Sequence, residues 1–226
     1  MNDIFKIDKK EVLRYLGYKS SIVDKNTDTL IEECRREIKE YINFKYTYKT
    51  FNIEKKDKEV LIKDTNLIFK GKDILRHLSN SKECTLMAVT LGISLDRKIA
   101  LYEKTNMTKS IILDACATTA IEDGCDFVES IVKKEAELKN NKITFRYSPG
   151  YGDLSIEIQK DFLKVLNAQR EIGLTASSHN ILIPRKSVTA IIGFIPKEIT
   201  LKKRSCVNCN KYKDCEFRKT GESCGN

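Results

Sequence analysis

The feature that most constrains the fold is one long helical pattern, which runs from Thr108 to Glu137. Apolar side chains recur in it at spacings of three and four residues, so that Ile121, Cys125 and Val128 stack on one face while acids and lysines occupy the others. A helix of this length needs an extended apolar surface to cover that face. We therefore expect it to pack on a sheet.

Four segments outside the long helix have the composition of β-strands. Lys49–Glu54, Glu59–Ile62 and Asn66–Phe69 are separated by short polar breaks, as in a small meander. Cys84–Leu91 is an apolar run rich in branched residues, which predicts a buried strand, and Gly92 ends it before a helix. Together these segments predict an α+β fold, in which a mixed or antiparallel sheet packs against long helices.

Further helices complete the predicted framework. Asp8–Tyr18 and Thr27–Asn43 have helical spacing, and a short helix is expected near Asp73–Leu78. Ser155–Ile172 predicts one continuous helix, and Gly173 is well placed to cap its C-terminal end.

The segment after Gly173 predicts an antiparallel β-hairpin. Asn180–Ile183 and Val188–Phe194 are apolar segments that flank the polar stretch Pro184–Ser187. The period of two along the second segment predicts that alternate side chains share one face. Pro196 is expected to end the folded part.

The composition indicates in which part of the cell the protein is located. No run of about 18 apolar residues occurs, and the first ten residues lack the apolar stretch of a signal peptide. These features predict a cytoplasmic protein that neither inserts into a membrane nor is exported. The eight cysteines are then expected to be reduced. Four of them fall on apolar faces or in apolar runs and are predicted core residues, namely Cys34, Cys84, Cys116 and Cys125.

The segment Arg146-Tyr-Ser-Pro-Gly-Tyr151 has the residue types of a ligand-binding loop. Its Pro-Gly turn, followed by Gly152, lets backbone approach a ligand closely because glycine has no Cβ atom. Arg146 offers a forked donor suited to a carboxylate, and Tyr151 offers a flat ring with a hydroxyl group. This local chemistry suits an amphoteric, nucleoside-like ligand, and it fits a plain surface turn equally well.

The loop and its flanks together resemble the reactivation domain of cobalamin-dependent methionine synthase. In that family, an Arg-x-Ala/Ser-Pro-Gly-Tyr stretch follows a long helix with a key Glu and precedes a second helix ending in Ile-Gly, then a strand pair. The matching segments here are Arg146–Tyr151, Ala120–Glu122, Glu171–Leu174 and Val188–Phe194. The resemblance covers about residues 85–195, and residues 1–80 look like the leading part of stand-alone bacterial versions of the domain.

The resemblance implies that the chain binds S-adenosylmethionine. Carried over residue by residue, the family's contacts fall on Glu122, Arg146, Ser148, Gly150 and Tyr151, and no side chain is implied as a catalytic acid or base. The larger synthases make a further acidic contact from an N-terminal motif that contains Trp, and this chain has no Trp. One side of the ligand is therefore expected to lack that contact.

The resemblance also implies a helper function in cobalamin-dependent methyl transfer. The family's domain restores cobalamin that has oxidised to Co(II), by delivering a methyl group from S-adenosylmethionine while a reductant supplies an electron. The chain has no recognisable homocysteine, folate or cobalamin module, and neither His77 nor His179 lies in the Asp-x-His-x-x-Gly pattern of cobalamin-binding domains. We expect it to act in trans, as a methyltransferase component, on the methionine synthase core or another corrinoid protein.

The C-terminal segment carries half of the cysteines. Cys206, Cys209, Cys215 and Cys224 form a C-x2-C-x5-C-x8-C pattern among few apolar residues, which predicts a metal that orders the segment. Four thiolates fit Zn²⁺ and a [4Fe–4S] cluster equally well, and the redox chemistry of the family favours the cluster. Residues 202–226 hold +4 of the total formal charge of +9, which suits docking of an acidic flavodoxin or ferredoxin as reductant.

The chain is accordingly divided into three parts. Residues 1–80 form a helical and β-meander part, residues 81–200 form the S-adenosylmethionine-binding region in one compact unit with it, and residues 201–226 form the cysteine-rich tail. Two other functions stay open. One is a basic, zinc-tailed nucleic-acid-binding module, although basic residues are not interleaved with aromatics on a β platform. The other is a non-catalytic structural partner of methionine synthase that keeps the fold without the ligand.

Overall fold

A computed structural model describes residues 4–18 and 23–199. The strands are β1 (Lys45–Lys56), β2 (Glu59–Ile62), β3 (Ile68–Lys70), β4 (Glu83–Thr90), β5 (Asn141–Ile143), β6 (Thr175–Ala176), β7 (Leu182–Ile183) and β8 (Ser187–Pro196). In this part of the chain, six strands form one sheet of order β3-β2-β1-β4-β8-β5, in which every neighbouring pair is antiparallel. Strands β6 and β7 form a separate small sheet.

Helices cover both faces of the large sheet. They are α1 (Lys9–Tyr15), α2 (Lys25–Tyr41), α3 (Lys72–His77), α4 (Ile93–Thr105), α5 (Met107–Leu138), α6 (Gln159–Leu166) and α7 (Ala168–Ile172), with a 3₁₀ turn at Ile156–Ile158. One apolar core joins α1, α2, α4 and α5 to the sheet, and a second joins α3, α6, α7 and the β2–β3 pair to its other face.

The two cores follow from side-chain alternation along the central strands. On β4, Met87 and Val89 belong to the core beneath α5, whereas Leu86 and Ala88 belong to the opposite core. On β8, alternate residues divide between the two cores in the same way. The predicted α+β class, with the long helix packed on an antiparallel sheet, is therefore confirmed.

Most of the predicted elements form near their expected positions. The long helix spans Met107–Leu138, and the side chain of Asn106 caps it by accepting from the Lys109 N–H at 3.0 Å. The first meander strand is longer than predicted, because β1 pairs with β4 along its first eight residues and with β2 along its last four. The four cysteines predicted to lie in the core are all buried.

The predicted hairpin between Asn180–Ile183 and Val188–Phe194 is wrong. β7 pairs with β6, through Thr175 with Ile183 and Ala176 with Leu182, while β8 pairs with β4 and β5. The reason is burial. Most of β8 is buried on both faces and so occupies the interior of the large sheet, whereas β7 is only partly buried and stays in a small surface sheet.

The predicted continuous helix over Ser155–Ile172 is also wrong. It divides into the 3₁₀ turn, α6 and α7, because Asn167 adopts a left-handed conformation with φ of 55°. The break turns Ala168 inward and leaves Gln169 exposed. Gly173 caps the end of α7 with φ of 70°, as predicted.

The cysteine-rich tail lies outside the described residues, and so do its predicted ligands Cys206, Cys209, Cys215 and Cys224. Within residues 4–18 and 23–199, no group of three or more His, Cys, Asp or Glu side chains is arranged to hold a metal ion. In the same ranges no helix is both long enough and apolar enough to cross a membrane.

Candidate ligand-binding site

The Arg146–Tyr151 segment, called here the binding loop, leaves the edge of the large sheet through a β-bulge. Ile143 pairs with Phe194, and Tyr147 exchanges two backbone hydrogen bonds with Ile191, at 3.0 and 2.8 Å. Between these pairs the edge segment has one residue more than β8. The extra residue reverses the faces of the side chains that follow it. As a result Arg146 points towards α5 and Tyr147 points into the opposite core.

Arg146 contacts three carboxylates on one face of α5. Its Nη2 lies 3.0 Å from Glu122 Oε2, and its Nη1 lies 2.6 Å from Asp126 Oδ1 and 3.2 Å from Glu129 Oε2. The acids share a face because they are spaced by four and three residues along the helix. The Arg146 side chain is 21% exposed. One guanidinium and three carboxylates leave this acidic cluster with a formal charge of −2.

The cluster determines what Arg146 can do. Burial alone would lower the pKa of Arg146, but its hydrogen bond to Asp126 and the negative charge of the nearby carboxylates outweigh burial and raise that pKa. The guanidinium therefore stays charged and holds Glu122 and its neighbours in position. Two of its nitrogens already bond protein carboxylates, while the surplus negative charge of the cluster attracts a cation.

The middle of the binding loop is a tight turn. The Tyr151 N–H donates to the Ser148 carbonyl at 3.1 Å, and the Gly150 N–H donates to the Leu154 carbonyl at 2.9 Å. Gly150 has φ of 89°, in the left-handed region where glycine is favoured. The turn presents the Tyr151 ring to solvent, with 70% of the residue exposed. That ring is free to stack on a ligand.

Tyr147 and Gly152 fix the far side of the turn. The Tyr147 hydroxyl donates to the Tyr151 carbonyl at 3.1 Å. Burial, together with the negative charges of Asp73 and Asp153, raises the pKa of Tyr147 to about 12, so this hydroxyl keeps its proton at neutral pH. Gly152 has φ of 55°, and a Cβ atom there would collide with the same hydroxyl.

Asp153 ties the binding loop to helix α3. Its carboxylate accepts from the backbone N–H groups of Lys72 at 2.6 Å and Asp73 at 3.1 Å. Helix α3 begins after Gly71, which has no side chain with which to cap it. A carboxylate at a helix N-terminus satisfies unpaired donors and the positive end of the helix dipole. The loop is therefore anchored at the sheet edge and at α3.

One cleft adjoins the binding loop, and a second lies along the helix that carries the acidic cluster. The first has a volume of ≈ 290 Å³, and its walls include Ser148, Pro149 and the buried Gln159, which donates to Thr189 at 2.7 Å. The second has a volume of ≈ 490 Å³ and lies along α1, α4 and α5, where Thr118 lines it one helical turn before Glu122.

Helix α1 supplies an aromatic wall to the second cleft. Tyr15 is partly exposed and lines this cleft with Thr118 and Ile111. Burial, and to a smaller extent the negative charge of Glu122, raise the pKa of Tyr15 against the opposing influence of Arg14. Helix α1 thus lies beside Glu122 of the acidic cluster.

The residues predicted from the resemblance occupy one region of the molecule. Arg146 and Glu122 are in direct contact, Ser148 lines the ≈ 290 Å³ cleft, and Gly150 and Tyr151 form the turn that follows Ser148. Sequence reasoning missed Tyr15, which was read only as part of a helix. It also missed Arg185, which lines both clefts, because the polar stretch that contains it was interpreted as a hairpin turn.

No protein-family model and no curated protein sequence matches the chain. Among solved structures, it is similar to the crystal structure of the MetH reactivation domain bound to AdoHcy, with a TM-score of 0.62 and 13% sequence identity. The alignment covers 96% of this chain and 78% of that one. The chain therefore has the fold of the reactivation domain, as the resemblance in its sequence predicted.

Proposed function

We propose that this protein binds S-adenosylmethionine and reactivates oxidised cobalamin in trans, on the core of methionine synthase or on another corrinoid protein. One observation carries the proposal. Within a reactivation-domain fold, Arg146 contacts Glu122 across 24 residues of sequence, and both were selected by the motif resemblance alone. The structural neighbour is bound to AdoHcy, which is S-adenosylmethionine without the transferred methyl group.

The charge of the site supports a cationic ligand. S-adenosylmethionine carries a sulfonium and an ammonium group, and the acidic cluster has a formal charge of −2. The exposed Tyr151 ring offers a stacking surface for an adenine base. The clefts of ≈ 290 and ≈ 490 Å³ are together of a size that small molecules occupy.

The contribution of the chain to the reaction is positional. Cob(II)alamin gains one electron from a reductant and a methyl cation from the sulfonium, which leaves methylcobalamin and S-adenosylhomocysteine as products. Holding the sulfonium methyl in line with the cobalt of the partner supplies proximity and orientation, and no side chain has to transfer a proton. The rigid attachment of the binding loop to the sheet and to α3 serves this purpose.

The electron source is proposed from the sequence of the tail. Cys206, Cys209, Cys215 and Cys224 would hold a [4Fe–4S] cluster or Zn²⁺, and a cluster would relay an electron from an acidic flavodoxin or ferredoxin. Iron, sulfide and zinc analysis of the anaerobically purified protein decides between them. One zinc per chain without iron would remove the redox role of the tail.

Titration calorimetry with S-adenosylmethionine tests the proposed ligand. The wild-type protein should bind it, and Arg146→Ala should abolish the binding. Arg170→Ala is a matched control, because Arg170 is exposed on α7 and lines neither cleft. Unchanged binding in Arg146→Ala would exclude the binding loop as the site. A wild-type protein that does not bind the ligand would favour a structural partner of methionine synthase instead.

An anaerobic assay tests the reaction itself. A corrinoid protein poised as cob(II)alamin, with a low-potential reductant and S-adenosylmethionine, should acquire the absorption spectrum of methylcobalamin only when this chain is present. Omission of the reductant or of S-adenosylmethionine should stop the conversion. Conversion at the same rate without the chain would contradict a role in reactivation.

A further inference from the structure

Arg185 is shared by three clefts of the described structure. It lines the ≈ 290 Å³ cleft beside Ser148, the ≈ 490 Å³ cleft along α1 and α5, and a third cleft of ≈ 260 Å³ between α4 and the segment before β8. One of these clefts is also lined by Ser148 of the binding loop, so Arg185 adjoins the proposed ligand site.

The backbone around Arg185 is held by contacts with three elements. The Arg185 N–H donates to Asp96 of α4 at 2.6 Å, and the Ser187 hydroxyl donates to the Thr90 hydroxyl of β4 at 2.8 Å. Lys186 Nζ contacts Thr118 and Asp114 of α5, each at 2.9 Å. The position of residue 185 is thus defined before any ligand arrives, which lowers the entropic cost of using its side chain.

The side chain of Arg185 has no such constraint. It is exposed, and no carboxylate among the described residues lies within ion-pair distance of its guanidinium. Three acids line the neighbouring clefts: Asp114 pairs with Lys186, Asp96 accepts from the Arg185 backbone, and Glu103 forms no ion pair with Arg185 in the described part of the chain. Among the described residues that line the ≈ 290 Å³ cleft, Arg185 is the only charged one. An anion would therefore complement the positive charge of that cleft.

The ≈ 490 Å³ cleft links Arg185 to the helix that carries the acidic cluster. Thr118 of α5 lines this cleft together with Arg185, and Glu122 follows Thr118 one turn later, about 6 Å along the helix axis. An amino acid moiety with a sulfonium in its side chain has both a positive centre and a carboxylate. The cluster suits the positive centre and Arg185 suits the carboxylate.

We infer that Arg185 binds the carboxylate of S-adenosylmethionine, while Arg146 stays paired with the acids of α5 and positions Glu122. This inference rests on the proposed function and assigns the ligand's carboxylate to a residue outside the binding loop. Arg185 is suited to the task because guanidinium and carboxylate form two parallel hydrogen bonds.

Calorimetry with two ligands tests the assignment. The probes are S-adenosylmethionine and its decarboxylated analogue, which keeps the sulfonium, the amine and the nucleoside. Arg185→Gln should weaken S-adenosylmethionine binding about 10- to 100-fold, the usual effect of losing a charged hydrogen bond, and should leave binding of the analogue unchanged. Arg185→Lys should recover part of the loss, because it restores the charge without the fork.

Controls separate this inference from the proposed function. Arg170→Gln removes the same charge far from the clefts and should change neither affinity, and thermal melts verify that each variant is folded. If Arg185→Gln keeps the wild-type preference for the carboxylated ligand, or if the wild type shows no such preference, the assignment to Arg185 is overturned while the proposed function stands. If the wild type binds neither ligand, both are overturned.

Discussion

Arg146 and Arg185 carry the same chemical group into opposite surroundings. Arg146 is largely buried, and its guanidinium contacts three carboxylates of α5. Arg185 is exposed, and its guanidinium has no ion-pair partner among the described residues. Its backbone N–H bonds Asp96 of α4, while the adjacent Lys186 and Ser187 contact α5 and β4. One arginine is used to hold protein acids in place, and the other is left available for an external anion.

The comparison teaches that residue type alone does not assign a ligand contact. In the sequence, Arg146 is the arginine that suits a carboxylate, because it lies in the motif. In the structure, its donors already face carboxylates of the protein, so its removal affects stability as well as binding. Removal of Arg185 should affect binding alone.

Arg146→Ala should have the largest effect. It removes the cation from between Glu122, Asp126 and Glu129, which then repel one another, so we expect the free energy of unfolding to fall by about 1–3 kcal/mol and ligand binding to be lost. This loss of stability is smaller than for a fully buried ion pair because these acids are partly solvated, with Asp126 71% exposed. Urea denaturation measures the change, and a variant as stable as the wild type would contradict the contrast with Arg185.

Gly152→Ala should disturb the binding loop without touching the segment around Arg185. The substitution places a Cβ atom against the Tyr147 hydroxyl at a residue with φ of 55°, and we expect a loss of about 2 kcal/mol. Gly173→Ala is the matched control, since Gly173 has φ of 70° and open space around it, and it should cost about 1 kcal/mol. Equal losses in the two variants would show that the contact with Tyr147 contributes nothing.

Glu122→Gln should change ligand preference more than stability. If the acidic cluster holds the sulfonium, the preference for S-adenosylmethionine over S-adenosylhomocysteine, which has no sulfonium charge, should fall about tenfold in this variant, as expected for one partly desolvated charge pair. Asp126→Asn should reduce the same preference only about twofold, because Asp126 is the more exposed acid. Competition binding with the two ligands measures both ratios. A larger effect of Asp126→Asn would indicate that the sulfonium lies nearer to Asp126 than to Glu122.

Arg185→Gln should have the smallest effect on the fold. With no ion pair to lose, its free energy of unfolding should stay within about 0.5 kcal/mol of wild type. Urea denaturation of Arg185→Gln and Arg146→Ala under the same conditions compares their free energies of unfolding directly. A loss above about 1 kcal/mol would mean that Arg185 also has a structural role.

Much of the fold could be predicted because local sequence patterns determine it. The apolar periodicity indicated α2 and α5, and a branched, apolar composition indicated β4. The observed bounds of these elements differ from the predicted ones mainly at their ends. The break at Asn167 was missed because the apolar spacing on either side continues almost unaltered. Only the left-handed conformation of that one residue separates α6 from α7.

The pairing of β8 could not be derived from sequence proximity. β7 precedes it closely, yet β8 lies between β4 and β5, which are distant in sequence. A strand inside a sheet pairs its backbone N–H and C=O groups along both edges, and the chain provides the two partner strands from residues 83–90 and 141–143. Local propensity carries no information about such long-range partners.

For the proposed site, the sequence by itself determined the residue types in the binding loop, the glycines that its turn requires and the acids spaced along one face of α5. Only the tertiary structure decided which way each arginine points. A single extra residue on the edge strand turns Arg146 towards the acids, and contacts from α4, β4 and α5 leave Arg185 at the junction of three clefts. Side-chain direction depends on register and on packing between distant segments, which no local pattern encodes.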